Sequence, residues 1–217
     1  MFQDRREAGQ KLTQKLKHYQ AEKPLILALP RGGVPVGVEI AKALNAPLDV
    51  LVVRKIGTPW NPEFGVGAIA PGVQVFDEDS LQALDIKKPL LRDIIDQETQ
   101  EMNRRLHVYR HDADFPVIAG KTVILVDDGI ATGLTTRAAI DSIRKLNPAK
   151  LILAVPVGPT PTVALLKKLV DDLICLETPI SFHAVSLFYQ SFPQVSDEEV
   201  INLLEEAKET LHKDKIK

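Results

Sequence analysis

Short apolar runs alternate along this chain with stretches in which apolar side chains recur every three or four positions. Residues 25–29, 48–53, 123–126, 151–157 and 172–176 are rich in Leu, Ile and Val. That is the pattern of strands buried on both faces of a parallel sheet. Between them lie helical patterns. Residues 4–19 carry Ala8, Leu12, Leu16 and Tyr19 on one face, and a second helix carries Val36, Ile40, Ala41 and Leu44. Residues 88–110 carry a stripe of Leu90, Leu91, Ile94, Ile95, Met102 and Leu106. A further helix, holding Ala138, Ala139, Ile140 and Ile143, starts near Thr135 or Thr136, and another covers 163–170. Residues 66–70 and 73–76, split by Pro71-Gly72, predict a hairpin. Ser196, followed three residues later by Glu199, forms a capping box that opens a last helix. The charged tail from Lys208 is expected to fray. Strands alternating with helices predict an α/β fold, an open and mostly parallel sheet with helices on both faces. The length of 217 residues suits one domain over 1–217, with a core of about 24–176 and a smaller region of about 177–212.

The most informative stretch is 121–137. Its apolar run stops at Asp127 and Asp128, and a loop with Gly129, Thr132, Gly133 and Thr135 leads into a helix. Glycines let backbone approach a ligand closely. Successive backbone N–H groups and a helix N-terminus favour an anion, and threonine hydroxyls can add hydrogen bonds to its oxygens. The carboxylates repel a phosphate, so they suit hydroxyl donors or a hydrated cation. A ligand with a phosphate at one end and sugar hydroxyls at the other fits both halves. A strand end followed by a helix cap is the bland alternative.

A second strand–loop–helix unit carries Pro30-Arg31-Gly32-Gly33. A dinucleotide fingerprint fails because Val34 stands at the third position counted from Gly32. A Walker A loop fails because Gly37 precedes Val38 and Glu39. Arg31 is either an anion ligand or the surface partner of an acid. After the strand at 48–53 come Arg54-Lys55 and a loop at 56–65 with two prolines and two glycines, which supply stiff and hinge-like positions. Arg31, Lys55 and Asp127 each follow a predicted strand. In an open parallel sheet, groups at the strand carboxyl ends converge on one edge.

Residues 123–135 closely resemble the signature of type I phosphoribosyltransferases, which bind phosphoribosyl pyrophosphate (PRPP). The resemblance extends over most of the chain, from Leu25 to about Leu176. It implies that Asp127 and Asp128 hold the ribose hydroxyls. It also implies that Gly129, Ile130, Ala131, Thr132, Gly133, Leu134 and Thr135 hold the 5′-phosphate. Leu134 departs from the small residue many members have there. Arg31, Gly32 and Gly33 match the loop that binds pyrophosphate in the family, with Lys55 beside it. The loop at 56–65 corresponds to a mobile loop that closes over the reacting centre, and residues beyond the sheet correspond to a hood over the acceptor. Arg54-Lys55 and Glu63-Phe64-Gly65 resemble the adenine subgroup, in which the loop glutamate is the proton-transfer residue. On that resemblance the catalytic set is Glu63, Lys55 and Arg31. By its residue type alone, Glu63 is equally an exposed loop carboxylate. Trp60 is expected to anchor the loop by packing, with cover for a closed site as the other reading. Phe182, His183, Phe188 and Tyr189 either stack on a base or pack the hood, with packing expected.

The resemblance further implies Mg²⁺, which prefers water and substrate oxygens to an all-protein cage and would meet Asp127 and Asp128 only through ribose or water. The expected reaction displaces pyrophosphate from PRPP by a nitrogen nucleophile, most simply a nucleobase. Ala131 stands where 6-oxopurine enzymes have an aspartate. That is compatible with the adenine and orotate patterns. The alternatives are a PRPP-sensing nucleic-acid regulator, or a transferase or hydrolase with a non-nucleobase acceptor. A homodimer is expected by analogy.

Composition narrows the rest. The chain is 45% hydrophobic with a net charge of −2, so no basic surface advertises nucleic acid. No signal peptide or membrane span is expected. The lone Cys175 lies in an apolar run, consistent with an inert thiol in a reducing, cytoplasmic compartment. His107 and His111 have metal-compatible helical spacing but no third ligand nearby, so they read as solvated side chains.

Overall fold

The computed structural model describes residues 1–111 and 114–215, with side chains to Leu211. Five strands are β1 Leu25–Ala28, β2 Leu48–Val50, β6 Thr122–Val126, β7 Lys150–Val157 and β8 Asp172–Glu177. They form the main sheet, all parallel, in the order β2-β1-β6-β7-β8. A three-stranded antiparallel sheet joins β3 Arg54–Thr58, β4 Asn61–Ala70 and β5 Val73–Phe76. The helices are α1 Arg5–Leu16, α2 Gly33–Leu44, α3 Glu78–Ala83, α4 Arg92–Arg110, α5 Leu134–Arg144, α6 Thr160–Leu166 and α7 Asp197–Lys215.

The apolar runs are continuous because both faces of the main sheet are covered. Ile26, Ala28, Ile124, Val126, Ile152 and Ala154 pack with residues of α1, α2, α4 and α7. Leu25, Leu27, Val123, Leu125, Leu151 and Leu153 point the other way, onto Ala139, Ile140 and Ile143 of α5 and Leu166 of α6. Successive residues of one strand thus serve opposite layers, as the two-residue period requires.

Several boundaries differ from expectation. β2 ends at Val50 instead of continuing to 53. Arg54 and Lys55 therefore begin β3 in the second sheet instead of closing a strand of the first. The expected loop at 56–65 is mostly a hairpin, with Pro59 and Trp60 at its turn and Thr58 Oγ1 donating to the Asn61 carbonyl at 3.0 Å. Its pairing is irregular, with register shifts on either side of Gly57, so the strand period was hidden among prolines and glycines. A Cβ at Gly57 would lie 2.3 Å from the Pro62 carbonyl oxygen, which explains why only glycine fits that crossing. α6 begins at Thr160 because Pro161 is acceptable in a first helical turn. α7 opens as expected, with Ser196 Oγ accepting from Glu199 N at 3.1 Å, but it stays helical past Lys208 to Lys215.

Candidate active site

β1 and β6 are neighbours, with Ala28 beside Val126, so the loops that leave them run side by side. Leu29 N donates to the Val126 carbonyl at 2.8 Å, and Gly33 N donates to Leu29 O at 3.0 Å. The Pro30–Arg31 peptide between them is cis. The two glycines are set by the acidic pair. A Cβ on Gly32 would fall 1.9 Å from Asp128 Oδ2, and one on Gly33 would fall 2.8 Å from Val126 O and 3.0 Å from Asp127 Cα. Asp127, Asp128, Gly32 and Gly33 therefore form one compact junction.

Asp127 Oδ1 accepts from Asp128 N at 2.8 Å. Burial raises the Asp127 carboxyl well above the ordinary carboxylate range, and the charge of Asp128 adds to it. Burial also raises Asp128, but there a hydrogen bond from Arg5 opposes the shift. Arg5 Nε donates to Asp128 Oδ2 at 2.8 Å. The pair titrates as a unit.

The following loop is fixed on three sides. Ile130 N donates to Val157 O at 2.9 Å, Thr162 Oγ1 donates to Ala131 O at 3.2 Å, and Tyr189 Oη donates to Asp128 O at 2.6 Å. Gly133, at φ +80°, turns the chain into α5 one residue earlier than expected. The first-turn N–H groups of that helix have no partner within the helix. Ala131 and Thr132 are exposed, while Leu134 and Thr135 are half-buried. The room Leu134 needs comes from the second sheet, where it packs against the cluster of Ala68, Ala70, Val75 and Ala138.

A cavity of about 380 Å³ joins this loop, from Gly129 to Thr136, to Lys55, Glu63 and Phe64 of the hairpin and to Asp77, Ser80 and Val185. Lys55 Nζ lies 3.4 Å from Glu63 O. Two sequence-predicted groups, Lys55 and Glu63, are thus brought to the loop after β6. Arg31, Gly32, Gly33, Asp127 and Asp128 do not line that cavity. They form the neighbouring junction, where Arg31 faces Asp197 at 3.8 Å. The expected convergence of Arg31, Lys55 and Asp127 at the strand ends of one sheet needs correction in one respect. Arg31 and Asp127 follow β1 and β6, whereas Lys55 arrives from the antiparallel sheet.

The family model of the phosphoribosyl transferase domain matches residues 4–190. This chain belongs to the phosphoribosyl transferase family. A provisionally named phosphoribosyl transferase of Mycobacterium tuberculosis is 41% identical over 208 residues, which cover 95% of this chain and 47% of that protein. The chain thus spans about half the length of that curated relative. The crystal structure of TT1426 from Thermus thermophilus superposes with a TM-score of 0.79 at 36% identity, covering 95% of this chain and 98% of that one. A bifunctional protein PyrR of Chloroflexus aurantiacus is 57% identical over 44 residues, 19% of this chain and 24% of that protein.

Within this phosphoribosyl transferase fold, residues 178–192 cover the loop after β6. A Cβ on Gly129 would meet Val185 Cγ1 at 2.5 Å. Phe182 stacks on Phe188 at 5.6 Å, and Tyr189 packs against Phe2 at 5.3 Å and Phe192 at 4.9 Å. These aromatics are engaged with one another. Trp60, expected to pack, is 62% exposed at the hairpin turn. Among the described residues, no group of three or more His, Cys, Asp or Glu is placed to hold a metal, and no helix is long and apolar enough to cross a membrane. Two adjacent carboxylates alone fit a cation that brings its other ligands with it. The Cys175 thiol donates to Glu177 O and is pushed up to about 11 by burial, which disfavours the thiolate.

Sequence reasoning missed Arg5, Tyr189 and Asp197 as partners of the site's charges and backbone. Arg5 did carry a signal. It lies three and four residues before Ala8 and Gly9, on the stripe that α1 buries. A charged residue on an apolar stripe asks for a buried partner.

Proposed function

We propose that this chain transfers the 5-phosphoribosyl group of PRPP to a nitrogen nucleophile, most simply a nucleobase, and releases pyrophosphate. The observation that carries this reading is the junction of the acidic pair with Gly32-Gly33, beside a glycine- and threonine-containing loop at the start of α5. The 5′-phosphate sits in the loop 129–135 and accepts from the backbone N–H groups of 131–135 and the hydroxyls of Thr132 and Thr135, Ile130 N being taken by Val157 O. Asp127 and Asp128 accept from the ribose hydroxyls, which repays their burial with hydrogen bonds. Pyrophosphate lies along Gly32 and Gly33, where Arg31 exchanges Asp197 for a phosphate oxygen. Bond breaking moves negative charge onto that leaving group, so preorganised cations at Arg31 and Lys55 lower the barrier. A magnesium ion carried by PRPP would neutralise part of the same charge, with Asp127 and Asp128 contacting it through ribose or water. Glu63 is close enough to the cavity to hold or accept the proton the acceptor must lose. Closure of the hairpin excludes water, which would otherwise consume PRPP.

The test is pyrophosphate release from PRPP and Mg²⁺ across a panel of bases, with Asp127→Asn alongside. Release that needs one base and disappears in the variant supports the transferase and names its acceptor. PRPP binding without release for any base defeats the nucleobase reading. The short match to PyrR supports a second reading, a PRPP-responsive regulator. A salt-dependent RNA complex that responds to PRPP would favour it.

A further inference from the structure

We infer that Arg5 is a positioning residue of the PRPP site, acting through Asp128 without touching substrate. The inference rests on the PRPP reading proposed above. Arg5 is the first residue of α1, and Asp4 caps that helix by accepting from Glu7 N at 2.8 Å. A cation there opposes the helix dipole, and its burial costs solvation. A residue that breaks two local rules calls for compensation elsewhere. The compensation is specific. Nε donates to Asp128 Oδ2 at 2.8 Å, Nη1 donates to Pro193 O at 2.7 Å, and the guanidinium lies 3.6 Å from the centre of the Phe192 ring. Arg5 and Asp128 side chains are only 9% and 15% exposed.

The result is a clamp on one carboxylate oxygen. Asp128 Oδ2 is held between Arg5 and the backbone of Gly32. That geometry makes the ribose-binding carboxylate and the pyrophosphate loop one rigid unit before ligand arrives. The clamp is itself braced. Phe2 N donates to Phe188 O at 2.7 Å, Gln190 N to Phe2 O at 2.8 Å, and Ser191 N to Gln3 O at 2.9 Å. Those bonds tie the residues before α1 to the segment that carries Tyr189, whose hydroxyl holds the Asp128 carbonyl. Arg5 thereby connects three parts of the chain that meet at Asp128.

The experiment is calorimetric titration of Mg-PRPP into wild type, Arg5→Met, Arg5→Lys and Arg5→Ala, the last with and without methylguanidinium. Arg6→Ala is the control, because Arg6 pairs with Glu39 and Glu206 away from the acidic pair. Arg5→Met is expected to weaken PRPP about tenfold or more, the scale of a lost charge-assisted bond. Arg5→Lys should fall between, because an ammonium cannot serve Asp128 and Pro193 with a planar fork. Methylguanidinium should restore part of the affinity of Arg5→Ala. In turnover, KM for PRPP should rise while KM for the acceptor stays put, a split that general loosening of the fold would not give. Wild-type affinity in Arg5→Met overturns the assignment. If Arg5→Met does not fold, wild-type affinity in Arg5→Lys does the same. If wild type itself binds no PRPP, the proposed function fails and the assignment goes with it.

Discussion

The loop after β6 and the β3–β4 hairpin face one cavity but are built in opposite ways. The loop leaves a strand whose five residues are all buried, and it is bonded to Val157, Thr162 and Tyr189. The outer half of the hairpin, from Asn61 to Phe64, is exposed along its whole length, with Trp60 and Phe64 in solvent. Within it, Lys55 approaches the Glu63 carbonyl at a long 3.4 Å. A rigid anion cradle binds with little ordering cost. A hairpin with few buried contacts can open and close at low cost. Under the proposed function, that difference suits one side to binding and the other to closure.

The largest effect expected from breaking the cradle is on PRPP affinity. Asp128→Asn should lower it by on the order of a hundredfold, since it removes a charged acceptor and strands the buried Arg5. The same change should destabilise the fold by roughly 3 kcal/mol in urea unfolding. Wild-type affinity in this variant would remove the acidic pair from the site.

On the hairpin, Glu63→Gln should lower kcat about a hundredfold with PRPP affinity unchanged, if that carboxylate moves the acceptor's proton. Equal loss of PRPP affinity would instead make the hairpin part of the cradle. Between the two lies Gly32→Ala, which drives a methyl into Asp128. It should cost roughly 1–3 kcal/mol of stability and weaken PRPP along with it.

Asp127→Asn should separate stability from function. Its folded-state carboxyl lies above the unfolded value, so the folded chain holds the extra proton and wild-type stability falls as pH rises from about 4 toward the folded value. Removing the charge should therefore stabilise the fold at pH 7 and flatten that slope, while PRPP affinity falls by about tenfold. Urea unfolding at several pH values measures this, and a steeper slope in the variant would contradict it. The smallest effect belongs to Trp60→Ala, expected within about 0.5 kcal/mol of wild type in stability because the ring is mostly solvated. A larger loss would mean the hairpin tip is packed in solution.

The cradle was legible in the chain because its signals are local. A buried strand, two acids, glycines and threonines, then a helix all fall within residues 121–137. The hairpin looks like a loop in sequence because Gly57, Pro59, Pro62 and Gly65 mask the two-residue period that marks a strand. Lys55 and Glu63 remain legible as candidates, because their chemistry does not depend on the element that carries them.

What the sequence alone determined is which segments are buried strands, which helices cover them, and which loops have the glycines and charges for an anion. Burial period and backbone freedom are properties of neighbouring residues, and they survive without knowledge of the fold. Only the tertiary structure decided which charges meet. Arg5 and Asp128 are 123 residues apart, and Tyr189 reaches the Asp128 carbonyl across 61. No local pattern encodes such pairs. They arise because the sheet order sets β1 beside β6, and the segments around Phe2 and Tyr189 then pair over the edge where those strands stop.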